Sequence, residues 1–237
     1  MSAQCSTARI KAVFFDLMGT CLDWHTGITQ TFPQHIPEWQ RSELAIQWRQ
    51  AFFDEIANRF EAKLPQEDID ETHRRTLEVL LQKEGREARF GAGDKIKAIQ
   101  AWHSMTAWAE VPRVLHKLRT GYEVFVLANG TTRFQLDLMH SSGLQFDMLF
   151  SSELLGFIKP APEMYRTAMK LVKVKPDECV MVAAHAYDLR AAKAVGMKTV
   201  YVRRWTEDVC ENMNQVEREN NFFLDDMNDL YNVIENL

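Results

Sequence analysis

The stretch AVFFDLMGTCLDW (12–24) decides how the chain is read. An apolar run stops at a single carboxylate, Asp16. Met18, Gly19 and Thr20 follow, and the next acid is Asp23. Near-continuous apolarity, without alternation, is the pattern of a strand covered on both faces. Three more runs share it: EVFVLA (123–128), CVMVAA (179–184) and TVYV (199–202). Helical patterns separate most of them. VPRVLHKLRTGY (111–122) carries apolar residues at 111, 114, 115 and 118 and predicts a helix with Gly121 as its C-cap. APEMYRTAMKLV (161–172) and DLRAAKAVGM (188–197) also read as helices. Strands alternating with helices imply an α/β fold built on a doubly wound parallel sheet.

The segment from His25 to Ala107 breaks the alternation. SELAIQWRQAFFDEIANRF (42–60), EDIDETHRRTLEVLLQKEG (67–85) and GDKIKAIQAWHSM (93–105) are rich in helix formers and aromatics, with Pro33, Pro37 and Pro65 as punctuation and no convincing strand. It reads as a helical cap domain, 25–107, inserted into a core domain formed by 1–24 and 108–237. Trp39, Trp48, Phe52, Phe53, Trp102 and Trp108 fall on its predicted helices. Two uses are open to them: cap and cap–core packing, or the lining of an apolar substrate pocket.

Composition narrows the function classes. The 237 residues are 46% hydrophobic with a formal charge of −5 and no long basic run, which argues against nucleic acid or an anionic membrane as partner. The N-terminal MSAQCSTARIKA has no apolar core of a signal peptide, and no window is long and apolar enough to span a bilayer. Cys5, Cys21, Cys179 and Cys210 have no metal-ligand spacing and read as reduced thiols of a cytoplasmic protein.

In open α/β sheets ligands bind beyond the carboxyl ends of the strands. The first run ends at Asp16 and reaches Thr20. The second ends at Asn129, followed by Gly130, Thr131 and Thr132. Lys159 follows in GFIKPAPEMY, and the run 179–184 leads to His185 and Asp188. Singly, each has a bland explanation: a helix cap for Asp16 or Asp188, a turn for Asn129, a solvated cation for Lys159. Caps alone do not explain the order Asp, Thr, Asn, Lys, Asp at strand ends.

With these residues the sequence resembles the haloacid dehalogenase superfamily, and within it the 2-haloacid dehalogenases, over nearly the whole chain. The superfamily's first motif, D-x-D-x-T, stands here as DLMGT. The second lies near ANGTT, the third is the Lys of IKPAPEMY, and the fourth is AAHAYD. GT followed by LDW, the NG after the second run, KP with Tyr165 six residues on, and WRQ (48–50) are the dehalogenase-like details. The resemblance implies a Rossmann-like core with a cap, a cytoplasmic hydrolase acting on a small molecule, and a homodimer as the assembly to expect.

Two expected acids are missing. Where superfamily phosphatases carry a second Asp to protonate an alkoxide leaving group, this chain has Met18. Where they carry a fourth-motif carboxylate for Mg²⁺, it has Ala184. Mg²⁺ prefers several oxygen ligands, so neither a metal nor any other cofactor is expected. A halide is a weak base that leaves without a proton, so a dehalogenase does without both acids.

By resemblance, Asp16 is the nucleophile that attacks C2 of a 2-haloacid, Thr20 orients it, Lys159 holds it ionised, and Tyr165 and Asp188 arrange this network. Arg49 matches the cap arginine associated with the halide or the substrate carboxylate, and otherwise reads as an exposed helix charge. Asn129 matches a halide- or substrate-contacting amide, and Met18 is counted among the same binding positions. Ala128, Ala183 and His185 depart from the bacterial pattern of Ser, Ser and Asn. Two hydroxyls are thereby lost, for one of which Thr131 or Thr132 is a substitute. His185 has two readings of equal weight: a neutral imidazole that activates the ester-cleaving water, or a loop histidine bonded to a backbone carbonyl. A phosphatase, and a relative repurposed for a biosynthetic metabolite, are the alternative functions.

Overall fold

Apolar β-branched and aromatic runs bounded by turn residues become the strands of a computed structural model, which describes residues 9–65 and 67–237. Cys5 and most of the N-terminal stretch lie outside the described residues. In chain order the elements are β1 (Ala12–Phe15), β2 (Leu22–Asp23), α1 (Trp24–Thr31), α2 (Glu38–Glu61), α3 (Ile69–Lys83), α4 (Ala92–Ala101), β3 (Thr106–Ala107), α5 (Val111–Leu118), β4 (Glu123–Ala128), α6 (Thr132–Ser142), β5 (Met148–Ser151), α7 (Ser152–Leu155), α8 (Pro162–Leu171), β6 (Cys179–Ala183), α9 (Ala186–Ala194), β7 (Lys198–Val202), α10 (Met213–Glu219), β8 (Phe222–Leu224) and α11 (Leu230–Glu235).

The chain divides into two units. One runs to Asp23 and resumes from Ala107 to Leu237; the other is Trp24–Thr106. The predicted boundaries fall one residue later at each crossing.

The first unit is built on a six-stranded sheet of order β5-β4-β1-β6-β7-β8. Every neighbouring pair is parallel. Strand β1 is central: Phe15 lies opposite Val126 of β4 on one side and Val182 of β6 on the other. The chain winds outward from β1 to β4 and β5, then crosses back to β6, β7 and β8. The order therefore reverses at β1, and its carboxyl end is the switch point where such sheets bind ligands. Phe14, Phe125, Phe150, Met164, Tyr165, Leu189 and Met181 pack in one buried cluster against the sheet. Burial of such apolar surface is the main stabilising term.

The second unit packs α1, α2, α3 and α4 around buried Trp24, Phe32, Trp48, Leu77, Leu81 and Trp102. Its rings make a continuous stack. Trp24 and Trp102 lie 5.7 Å apart, and His73 is sandwiched between Phe52 (4.3 Å, 13°) and Trp102 (4.4 Å, 8°).

Several expectations need correction. The four predicted strands are present, but β5 and β8 join the same sheet. MLFS is short and runs directly into α7, while FFL is an edge strand that is only partly buried. The segment expected to lack strands contains the whole of β3. Helix α5 ends at Leu118 with Arg119 as its cap in right-handed geometry, so Gly121 is not the cap. Trp108 lies between β3 and α5, off the helices, and Trp39 is 66% exposed and packs in no core. Cys21 and Cys179 are buried free thiols, and burial pushes the Cys179 thiol up to about 12.

Candidate active site

Asp16 is the residue at which β1 stops. Its backbone N–H still donates to Val182 of β6 (3.0 Å), so the side chain is anchored by the sheet. The backbone then turns through Gly19 at φ +81°, which returns Thr20 towards the carboxylate. The Thr20 hydroxyl donates to Asp16 Oδ2 (2.7 Å) and accepts from the Ala184 N–H (2.9 Å).

Lys159 is buried, and its ammonium donates to Asp16 Oδ1 (3.0 Å) and Asp188 Oδ2 (2.5 Å). Asp188 stands in the first turn of α9, where its other oxygen takes the Tyr165 hydroxyl (2.5 Å). Asn129, just past β4, clamps the Lys159 backbone: its Oδ1 accepts from Lys159 N (2.8 Å) and its Nδ2 donates to Lys159 O (3.3 Å). The bland explanations as caps, turn and solvated cation therefore do not hold for Asp188, Asn129 and Lys159.

His185 precedes α9 and is buried. Its Nδ1 lies 3.1 Å from Asp16 Oδ2 and its Nε2 lies 2.7 Å from Glu207 Oε2. The Glu207 carboxylate also accepts from the Thr206 hydroxyl (2.9 Å). Behind the nucleophile turn, Arg204 Nε donates to the Thr20 carbonyl (3.1 Å) and its guanidinium pairs with Glu110 (2.8 Å) over the Trp108 ring. The Trp108 indole N–H donates to Gly19 O (2.9 Å).

The electrostatics follow from this packing. Burial opposes the charge on Asp16, but Lys159, His185 and the Thr20 hydroxyl outweigh it and hold the carboxyl far below its usual range. Burial raises Asp188; the Lys159 ammonium pulls against that and the nearby Asp16 charge reinforces it. Burial disfavours an imidazolium at His185, yet the hydrogen bonds and charges of Asp16 and Glu207 prevail and push it up to about 10. Carboxylates at both ring nitrogens thus favour the charged imidazolium in the resting site, a partner set that neither sequence reading of His185 included.

The donor set does not fit a divalent cation. Asp16 and Asp188, the carboxylates that would share one, already share the Lys159 ammonium. Ala184 offers only its backbone N–H, to Thr20. Among the described residues no cluster of three His, Cys, Asp or Glu side chains is placed to hold a metal.

The structure thus brings Asp16, Thr20, Lys159, Tyr165, His185 and Asp188 into one buried network, with Asn129 attached through Lys159. The Asn129 amide is committed to that backbone rather than to an open face. The candidate substitutes for lost hydroxyls are committed too: Thr131 caps α6 and Thr132 bonds Ser151. Met18 is half-buried beside the turn. Arg49 is buried on α2 of the second unit, with its guanidinium 4.3 Å from the Phe53 ring and 5.5 Å from Trp102, so it is no exposed helix charge. Sequence reasoning gave no role at the site to Glu207, Arg204 or Trp108. Glu207 was findable, because the rule of polar residues after strand ends applies equally to TVYV, which is followed by RRWTED.

The model of the haloacid dehalogenase-like hydrolase family matches residues 10–196. The chain is a haloacid dehalogenase-like hydrolase. This hydrolase is 26% identical over 205 residues to (S)-2-haloacid dehalogenase 4A of Burkholderia cepacia, covering 82% of this chain and 84% of that one. It is 28% identical over 206 residues to a glyceraldehyde 3-phosphate phosphatase of Pyrococcus furiosus, covering 82% and 81%. The crystal structure of an L-2-haloacid dehalogenase superposes with a TM-score of 0.82 at 28% identity, over 96% of this hydrolase and 100% of that chain.

Proposed function

We propose that this hydrolase converts a small 2-haloacid to the 2-hydroxy acid through an ester on Asp16, without a metal ion. The observation that carries the reading is the Lys159 ammonium lodged between Asp16 and Asp188. A protein cation in that place keeps Asp16 ionised and nucleophilic, and with Met18 and Ala184 in place of two acids the site carries less of the negative charge that a divalent clamp for phosphoryl transfer needs. Asp16 attacks C2 and the halide leaves with the bonding electrons. Water then cleaves the ester at the Asp16 carboxyl carbon and frees the hydroxy acid. Thr20 fixes the carboxylate's orientation, Tyr165 and Asp188 fix Lys159, and Asn129 fixes the Lys159 backbone. His185 activates the water once the Asp16 charge has been consumed by ester formation. Arg49 binds the halide or the substrate carboxylate, as a guanidinium suits both anions.

The dehalogenase relatives support this reading, and the chain's inner site agrees with it. The phosphatase reading draws on the Pyrococcus relative, but Met18 removes its general acid and Ala184 a metal ligand. A metabolite other than a 2-haloacid is the reading that Ala128 and Ala183 favour, since no hydroxyl replaces theirs. No described helix is long and apolar enough to cross a membrane, in keeping with the cytoplasmic location we infer. The homodimer is likewise an inference, open to sedimentation analysis.

The test is a panel of 2-haloacids and small phosphoesters, assayed for halide and phosphate release with and without EDTA. Halide release insensitive to chelator, abolished in Asp16→Asn, is the expected result. Phosphate release restored by Mg²⁺ would overturn the proposal.

A further inference from the structure

We infer that Glu207 is the positioning residue that lets His185 work as a proton-accepting base only after Asp16 has been esterified. The inference rests on the reading of Asp16 as the ester-forming nucleophile. Three observations carry it. Glu207 is 5% exposed, and its Oε2 stands 2.7 Å from His185 Nε2. The other ring nitrogen, Nδ1, faces Asp16 at 3.1 Å, so the imidazole lies between two carboxylates. The turn also makes room for this acid: a Cβ on Gly19 would lie 2.5 Å from the Glu207 carboxyl carbon.

This arrangement has the geometry of a base held by an orienting carboxylate, with the nucleophile on its far side. In the resting site Asp16 is held ionised, and the carboxylates facing the two ring nitrogens favour an imidazolium that donates to both. Around the ring, Lys159 lies beyond Asp16, the Asp208 carboxylate is held by the Ala186 N–H, and the Tyr187 ring lies 5.8 Å away. Esterification neutralises Asp16 and removes one of the two anions that keep the imidazole charged, so the Nδ1 proton is released to solvent. Glu207 retains the Nε2–H and thereby fixes the tautomer whose Nδ1 lone pair points at the ester.

The balance closes. Asp16 displaces the halide, which leaves with the C–X electron pair, and His185 gives one proton to solvent. Water then adds to the Asp16 carboxyl carbon while its proton passes to Nδ1. The tetrahedral adduct collapses by breaking the bond between that carbon and the ester oxygen. The departing alkoxide takes the remaining proton from the new carboxyl group. One water is consumed, one halide and one proton are released, and both Asp16 carboxylate and His185 imidazolium are regenerated. The proton thus appears with the first step and not with the second.

The decisive experiment compares the wild type with Glu207→Gln, which keeps the shape, and Glu207→Asp, which keeps the charge. The His185 ring is titrated by NMR without substrate. Halide and proton release are then followed after rapid mixing with excess 2-chloropropionate. In the wild type the ring should stay charged well above neutral pH, and proton and halide should rise together in the first turnover. In Glu207→Gln the titration should fall by about one unit or more, and turnover by roughly 100-fold, with the first halide still released. Glu207→Asp should recover part of both. A His185 titration unmoved in Glu207→Gln, or a Gln variant as fast as wild type, overturns the inference. A wild type that releases no halide overturns the dehalogenase reading alone, because the titration still judges the pairing of Glu207 with His185.

Discussion

Lys159 and Asp16 are 143 residues apart in the chain and 3.0 Å apart in the folded protein, with Asp188 on the ammonium's other side. All three are buried, so charge is left less compensated if the centre is removed. Lys159→Met should leave Asp188 without a cation and Asp16 with His185 as its remaining one. Loss of one partner from such a pair costs about 3–5 kcal/mol. Urea unfolding at neutral pH should show that loss, and the deficit should shrink as acid protonates Asp188. Turnover should vanish even where the variant is folded. A Lys159→Met variant with wild-type stability would rule out a buried ammonium that holds the two carboxylates together.

Two histidines should shape stability against pH in opposite directions. His185 is raised to about 10, so its contribution is complete below the unfolded value of about 6.5 and is lost as pH climbs towards 10. His73, in the second unit, is held well below its ordinary value by burial and by the charges of Arg49 and His103. The folded unit keeps it neutral, so stability is lost as pH drops below about 6.5. Stability should therefore peak near neutrality. His73→Phe, which keeps a ring between Phe52 and Trp102, should flatten the acid limb in urea titrations, and His185→Gln should flatten the alkaline limb. An acid limb unchanged by His73→Phe would count against the buried neutral imidazole.

Much of the sheet and of the inner site was legible because both rest on strong local signals. Four buried strands announce themselves as apolar runs, and Asp16, Asn129, His185 and Asp188 follow their ends within a few residues. Lys159 was legible only through its motif, since a lysine in a loop carries no pattern that says it is buried. The weaker strands β5 and β8 are short or half-covered, and hydrophobicity alone does not separate them from neighbouring turns and helices. The protonation of His185 was not legible at all. It depends on Glu207, 22 residues away in sequence, whose carboxylate only the fold brings to the imidazole.

Asn129 distinguishes what the resemblance implied from what the fold does. Both its amide atoms are on the Lys159 backbone, so Asn129→Ala removes two partly buried hydrogen bonds. A loss of about 1–3 kcal/mol in stability is expected. Its kinetic effect should fall on kcat, through a displaced Lys159, and should be equal for 2-chloro and 2-bromo substrates. A halide-contacting amide would instead change the ratio of the two. Steady-state kinetics with both halogens decide between them.

Gly19 and Glu207 should prove to be energetically coupled. Gly19→Ala imposes two separate penalties. The first is conformational, since φ +81° is poorly tolerated by any residue with a Cβ, at about 1–2 kcal/mol. The second is steric, since the new methyl would stand 2.5–2.9 Å from the carboxyl atoms of Glu207. That carboxylate cannot swing away freely, because His185 and Thr206 both hold it. Gly19→Ala should therefore lower the His185 titration and slow turnover, as Glu207→Gln does, in addition to destabilising the fold. In a Glu207→Ala background the steric penalty disappears, and Gly19→Ala should cost only the conformational part. The double-mutant cycle, measured by urea unfolding, should then show a coupling of about 1 kcal/mol or more. Strict additivity of the two substitutions would mean that the turn and the acid do not meet, and position 19 would then need a glycine for its backbone angle alone.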